Sequence, residues 1–129
     1  MPGWLLVAMG SAIGGAARYG VVRALSLVPG EWPAATMAVN LLGSFLIGAL
    51  WVAMELRGNS PVTDQLRLIW MMGVLGGFTT YSAFALETVL LGSGGSMLRA
   101  GVYIVLTVTG CVLAAIAGRA LAAVMFSEI

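Results

Sequence analysis

Residues 32–54 read WPAATMAVNLLGSFLIGALWVAM, from Trp32 to Met54, without one charged side chain. Crossing the hydrocarbon core of a bilayer takes about 20 mostly apolar residues in a helix. A run this long and apolar is rarely a soluble core helix. Three comparable windows lie around it. Residues 4–25 are interrupted by Arg18 and Arg23, residues 68–86 continue past Glu87 to Leu91, and residues 100–118 are charge-free. The chain has 129 residues, of which 60% are hydrophobic and 9% charged, whereas a soluble domain has roughly 25% charged residues. The mean hydropathy of +1.04 points the same way. These features predict an all-α membrane protein with four transmembrane helices. The spans use nearly the whole chain, so a single domain over residues 1–129 is expected, with no soluble domain and no linker.

The connections carry turn residues. Pro29-Gly30-Glu31-Trp32-Pro33 separates the first two windows, and Pro33 suits the opening of the second helix. Arg57-Gly58-Asn59-Ser60-Pro61 ends the second span, and Thr63-Asp64 is the expected cap of the third. Gly92-Ser93-Gly94-Gly95-Ser96 separates the third from the fourth. The start, Met1-Pro2-Gly3-Trp4, has no basic residue ahead of the apolar run, so a retained helix is expected rather than a cleaved secretory signal. Cys111 is the only cysteine and excludes an intrachain disulfide.

Orientation follows the Lys/Arg bias of short loops. The chain has no lysine. Arg57, Arg67 and Arg119 fall on one side, and Arg18, Arg23 and Arg99 toward the other. Such a balance allows two readings: one orientation fixed by one or two dominant arginines, or insertion both ways with opposed copies pairing. The glycine pairs Gly10/Gly14 and Gly73/Gly77 have the small-xxx-small spacing that lets helix backbones approach.

The segment GVLGGFTTYSAF, residues 73–84, lies in the middle of the third window. Two adjacent glycines followed by two threonines make a poor helix centre. A break there leaves backbone groups that must be buried in protein, line a cavity or bind an ion. A continuous helix with threonines bonded back to their own carbonyls is the alternative. Phe78, Tyr81 and Phe84 recur every third residue. Such a stripe serves packing, and its positively polarised ring edges can also contact a small anion. Asn40 is the strongest polar outlier of the second span. It lies one turn after Thr36, and its two N–H donors suit an anion or bind a neighbouring helix. Arg18 and Glu87 are the intramembrane ionisable groups, functional candidates by position. Tyr103, Thr107 and Cys111 form a thin polar line at i, i+4 spacing on the fourth span. No histidine, cysteine pair, carboxylate cluster or phosphate-binding loop is present, so no enzyme activity is expected.

Together the motifs Gly14-Gly15-Ala16-Ala17-Arg18-Tyr19, Asn40-Leu41-Leu42-Gly43, and Gly76-Gly77-Phe78-Thr79-Thr80-Tyr81-Ser82-Ala83-Phe84 followed by Glu87-Thr88 resemble the Fluc fluoride channel family, also called CrcB. The resemblance covers the whole chain. It implies a passive, fluoride-selective channel of the prokaryotic plasma membrane that lets trapped cytoplasmic fluoride leave. It further implies an antiparallel, dual-topology homodimer whose third helix breaks at Gly76 to Thr79. A structural sodium ion would sit at the dimer centre, on the backbone carbonyls of Gly76 and Thr79. The fluoride pathway implied is Asn40, Tyr81 and Phe84, with Thr36, Ser82, Glu87, Tyr103 and Thr107 beside it. Two departures stand out: Tyr81, where the family usually has phenylalanine, and Cys111, where it often has serine. The rival reading is a proton-coupled exporter of the small multidrug resistance type. That class needs a carboxylate in its first helix, and residues 4–25 hold none.

The arginine balance generates a prediction. A cysteine-tagged terminus should react with an impermeant thiol reagent from both faces of the membrane in comparable amounts. Labelling from one face alone would refute dual topology.

Overall fold

A computed structural model describes residues 1–26 and 32–127. The expected turn residues Pro29, Gly30 and Glu31 lie outside the described residues. Among those described, four rods are long and apolar enough to cross a bilayer: Gly3–Leu25, Ala34–Leu56, Pro61–Ser93 and Met97–Ser127. They comprise α1 (Gly3–Leu25), α2 (Ala34–Leu56), a composite third span, and α6 (Met97–Ser127). The third span runs through α3 (Pro61–Leu66), a π-helical stretch Arg67–Leu75, the single turn α4 (Gly76–Phe78) and then α5 (Tyr81–Ser93). Its axis bends by 18°.

The helix ends follow the turn chemistry, with two shifts of register. Pro33 is the N-cap of α2 rather than its first helical residue. Ser60, not Thr63 or Asp64, caps α3. Its hydroxyl accepts from the Thr63 N–H at 3.1 Å, and Pro61 occupies the first turn, where a missing N–H costs nothing. Thr63 instead turns its own hydroxyl to Ser60, at 2.9 Å. Gly58 and Gly95 take φ of 70° and 89° in the connections on either side of the third span, a left-handed conformation natural to glycine.

Packing is backbone against backbone along two seams. On α1, a Cβ at Gly10 would stand 2.8 Å from Gly73 Cα and 2.9 Å from Val74 N, so the first and third spans touch through their main chains. On the second seam, Cβ atoms at Gly48 and Gly118 would strike the carbonyls of Ala115 and Phe45, which brings α2 onto α6. Apolar lipid gives helices no hydrophobic reason to associate, so such close van der Waals contact is what holds the bundle. The interior is small, with Val39 and Tyr103 the largest fully buried side chains. Trp4, Trp51, Trp70 and much of α6 face outward. An apolar exterior of this extent requires lipid or another chain around it.

Gly10→Leu should therefore force α1 off the third span, at a cost of about 1–3 kcal/mol or more. Gly15→Ala, whose Cβ meets nothing within 4 Å, should be silent. Thermal unfolding in detergent, followed by loss of the monodisperse gel-filtration peak, compares the two.

Candidate functional site

The site grows from the interruption in the third span. Gly76, Gly77 and Phe78 remain helical. The residues that leave helical geometry are Thr79 (φ −82°, ψ 158°) and Thr80 (φ −149°, ψ 117°). Thr79 closes the first half, with both its N–H and its hydroxyl on the Leu75 carbonyl, at 3.0 and 2.9 Å. Thr80 opens the second half as N-cap of α5, its Oγ1 accepting from the Ala83 N–H at 3.3 Å.

Asn40 fills the gap between the halves. Its Nδ2 donates to the Thr80 carbonyl at 2.9 Å, and its Oδ1 accepts from the Thr80 N–H at 2.8 Å. A side-chain amide carries a donor and an acceptor side by side, so it pairs with Thr80 as a neighbouring backbone unit would. One of the two N–H donors read as available to an anion is thus engaged, and one remains.

This pairing has a consequence for the carbonyls. In an uninterrupted helix the Gly76 carbonyl would accept from the Thr80 N–H, and the Thr79 carbonyl from the Ala83 N–H. Both N–H groups are used elsewhere. The Thr79 carbonyl receives only the Arg18 guanidinium, at 3.5 Å. Gly76 is exposed, and a Cβ built there meets only the Met71 carbonyl, at 3.9 Å. The Gly76 and Thr79 carbonyls have thus lost their usual helical N–H partners, and carbonyl oxygen is the donor type a hard cation takes.

A second polar cluster ties three spans together. Glu87 on α5 accepts from Thr36 Oγ1 through Oε1 and from Tyr103 OH through Oε2, each at 2.7 Å. A carboxylate at this depth is costly without such partners. The rings form a chain beside it. Tyr81 and Phe84 are 5.6 Å apart between centroids, Phe84 and Tyr103 5.2 Å, and Trp32 meets Tyr103 edge-on at 5.6 Å and 85°.

Between α2, the interruption and α6 opens a cleft of about 440 Å³, lined among others by Asn40, Thr80, Tyr81, Phe84, Thr107 and Cys111. Gly76 and Thr79 also reach it. Phe84 is 7% exposed, whereas Tyr81 is 79% exposed. Thr107 is buried, one helical turn from Tyr103 on the same face of α6. Of the sequence-selected residues, Asn40, Tyr81, Phe84 and Thr107 therefore share the cleft. Thr36, Glu87 and Tyr103 stand in the adjoining cluster, joined to the cleft through Phe84. Ser82 lies on the exposed side, its hydroxyl 3.3 Å from Thr80 Oγ1. Sequence reasoning did not foresee the Asn40–Thr80 pairing or the place of Trp32. The one signal for the first was the need of a broken backbone for a combined donor and acceptor.

A bundle of four apolar rods, with a mostly apolar cleft at an interrupted span, defines a multi-pass integral membrane protein. Residues 5–119 match the family described as CrcB-like protein, Camphor Resistance (CrcB). A fluoride-specific ion channel FluC of Methylobacterium radiotolerans is 41% identical over 120 residues, covering 92% of this chain and 83% of the relative. The FluC of Hyphomonas neptunium is 45% identical over 106 residues (80% and 81%), and that of a Caulobacter species 43% over 124 residues (95% and 96%). The chain belongs to the CrcB-like family, and it is a multi-pass protein of the plasma membrane.

Asn40→Leu should leave the Thr80 N–H and carbonyl without partners, at about 1–3 kcal/mol for each group. Its thermal midpoint in detergent should fall well below that of Ser82→Ala, which removes only an exposed hydroxyl.

Proposed function

We propose that this protein is a passive, fluoride-selective channel that lets fluoride leave the cytoplasm. The observation that carries the reading is the cleft at the interrupted span, present in a chain whose relatives bear the name of fluoride-specific channels over nearly its full length. Neutral groups line the cleft: the amide of Asn40, Thr80 and the rings of Phe84 and Tyr81, set among aliphatic side chains. Fluoride is small and strongly hydrated, so each donor replaces part of a water shell. None carries a full charge that would trap the ion. Thr36, Glu87 and Tyr103 flank the pathway and brace Phe84, and Ser82 stands at its outer side. An exporter coupled to protons finds no support, since that class needs a carboxylate in its first helix and α1 holds none.

The working unit in this reading is an antiparallel, dual-topology homodimer. Its support is what one chain leaves uncovered: Gly76, the outward Tyr81 ring and the carbonyls of the interruption. At mid-membrane such groups need protein or an ion against them, and a two-fold copy supplies an equivalent set. The break of the third helix is then functional. The Gly76 and Thr79 carbonyls would hold a structural sodium ion, which supplies a fixed positive charge that offsets the carbonyl dipoles. Arg18, on the Thr79 carbonyl, steadies the same turn.

In liposomes holding the purified protein, fluoride efflux should depend on a potassium ionophore for charge balance. Equal efflux without the ionophore, or chloride moving as fast, would refute the channel. Phe84→Leu keeps the bulk and removes the ring edge. Asn40→Asp puts an oxygen where a donor is needed. Both should lose most flux at matched reconstitution, Phe84→Leu with dimer content unchanged and Asn40→Asp with lowered stability as well, because its second oxygen faces the Thr80 carbonyl, while Tyr81→Phe should be mild. If the first two variants conduct like the parent, the pathway lies elsewhere.

A further inference from the structure

Trp32 stands just ahead of α2 and belongs to none of the four rods. Its mounting is nonetheless rigid. A residue before proline is confined to extended backbone. Pro33, at φ −76° and ψ 59°, turns the chain so that the Ala34 N–H donates to the Trp32 carbonyl at 2.7 Å. That is an inverse γ-turn, and the Pro33 carbonyl then accepts from the Met37 N–H at 3.2 Å. The indole is thereby fixed to the first turn of α2. It meets the Tyr103 ring edge-on, with centroids 5.6 Å apart. Four residues further on, Thr36 donates to Glu87 Oε1 at 2.7 Å, and Tyr103 donates to Oε2 at the same distance. One end of α2 therefore grips both partners of the Tyr103–Glu87 bond, Tyr103 through Trp32 and Glu87 through Thr36.

We propose that Trp32 is a positioning residue of the fluoride pathway. It touches no ion itself. It holds the Tyr103 hydroxyl on Glu87 and so keeps the carboxylate off the cleft wall. Without the indole, space opens beside the Tyr103 ring and its hydroxyl leaves Glu87 Oε2. A carboxylate at this depth is costly without hydrogen-bond partners, so Glu87 moves to find others. Phe84 is the partition on the cleft side: it packs on Tyr103 at 5.2 Å between centroids and also lines the cleft. A shift of Tyr103 loosens that partition and brings a negative charge toward the wall, where it opposes entry of an anion in so low a dielectric. This inference rests on the channel reading, because a charge beside the cleft matters to flux only where fluoride passes through it.

The test reads fluoride efflux from liposomes holding the full chain, for the parent, Trp32→Ala, Trp32→Phe, Glu87→Gln and the double variant Trp32→Ala/Glu87→Gln. Trp32→Ala should slow efflux about tenfold, within the range of coupling between residues in contact. Trp32→Phe, which keeps a ring edge against Tyr103, should recover most of it. Glu87→Gln keeps the shape without the charge, so in that background Trp32→Ala should change efflux by less than about twofold. The carboxyl infrared band that Glu87→Gln removes should shift in Trp32→Ala and keep its place in Trp32→Phe, a readout that needs no flux. If Trp32→Ala gives no monodisperse gel-filtration peak, Trp32→Leu, which keeps bulk and removes the ring, replaces it in every comparison. Equal loss with and without the Glu87 charge would overturn the proposal, as would parent-like efflux of Trp32→Ala or an unshifted band. Absence of fluoride efflux from the parent would overturn the channel reading and this proposal with it, whereas a conducting parent with any of the other contrary results overturns the role of Trp32 alone.

Discussion

A backbone that leaves the helix in a bilayer must find partners for groups that water would otherwise satisfy. Here one side chain meets that requirement. The Asn40 amide takes both the N–H and the carbonyl of Thr80, and no other residue type of its length offers both functions at backbone spacing. The exchange fixes α2 against the third span at one register. It also places Thr80 to cap α5 and Thr79 to close the turn before it. Remove the amide, and the two halves of the span have nothing to hold them in their present relation at this depth.

The other elements of the site depend on that register. With α2 fixed, Thr36 stands one turn from Asn40 and meets Glu87, which in turn holds Tyr103 of α6. Tyr103 is fully buried against Phe84 and Trp32. Its face of α6 continues to Thr107 and Cys111, the wall of the cleft. Close contact at Gly48 and Gly118 presses α2 and α6 together and limits how far that wall can shift. Polar bonds thus choose the register, and the glycine seams set the spacing.

The spans were legible because each is a long apolar window; the first two windows and rods agree to within a few residues, whereas the third rod starts earlier, at Pro61, and the fourth runs on to Ser127. The interruption was less legible. Gly76-Gly77 reads as a poor helix centre on propensity, yet both residues are helical. A Cβ at Gly77 would lie 2.9 Å from Ser11 Cα, so that glycine is present for close approach to α1. The helix ends instead where threonine hydroxyls compete for backbone partners, at Thr79 and Thr80. The regular spacing of Phe78, Tyr81 and Phe84 runs across the same interruption. Two extended residues reset the helical phase between Phe78 and Tyr81, so two of the rings are buried and Tyr81 points outward. The Asn40–Thr80 pair joins positions 40 residues apart, a distance over which local pattern carries no information.

The disposition of charge follows from the same economy of partners. Both intramembrane ionisable residues are drawn out of the cleft wall: Arg18 onto the Thr79 carbonyl, and Glu87 between two hydroxyls. What remains on the wall is the Asn40 amide, Thr80, a thiol and aromatic rings among aliphatic side chains. A fixed cation there would bind a small anion strongly in so low a dielectric, and a fixed carboxylate would repel it. A wall of neutral donors does neither. In the channel reading such a wall would replace hydration piecemeal and let the ion go at each step. The polar network around Glu87 therefore serves the cleft twice, by bracing Phe84 and by keeping a negative charge away from the wall.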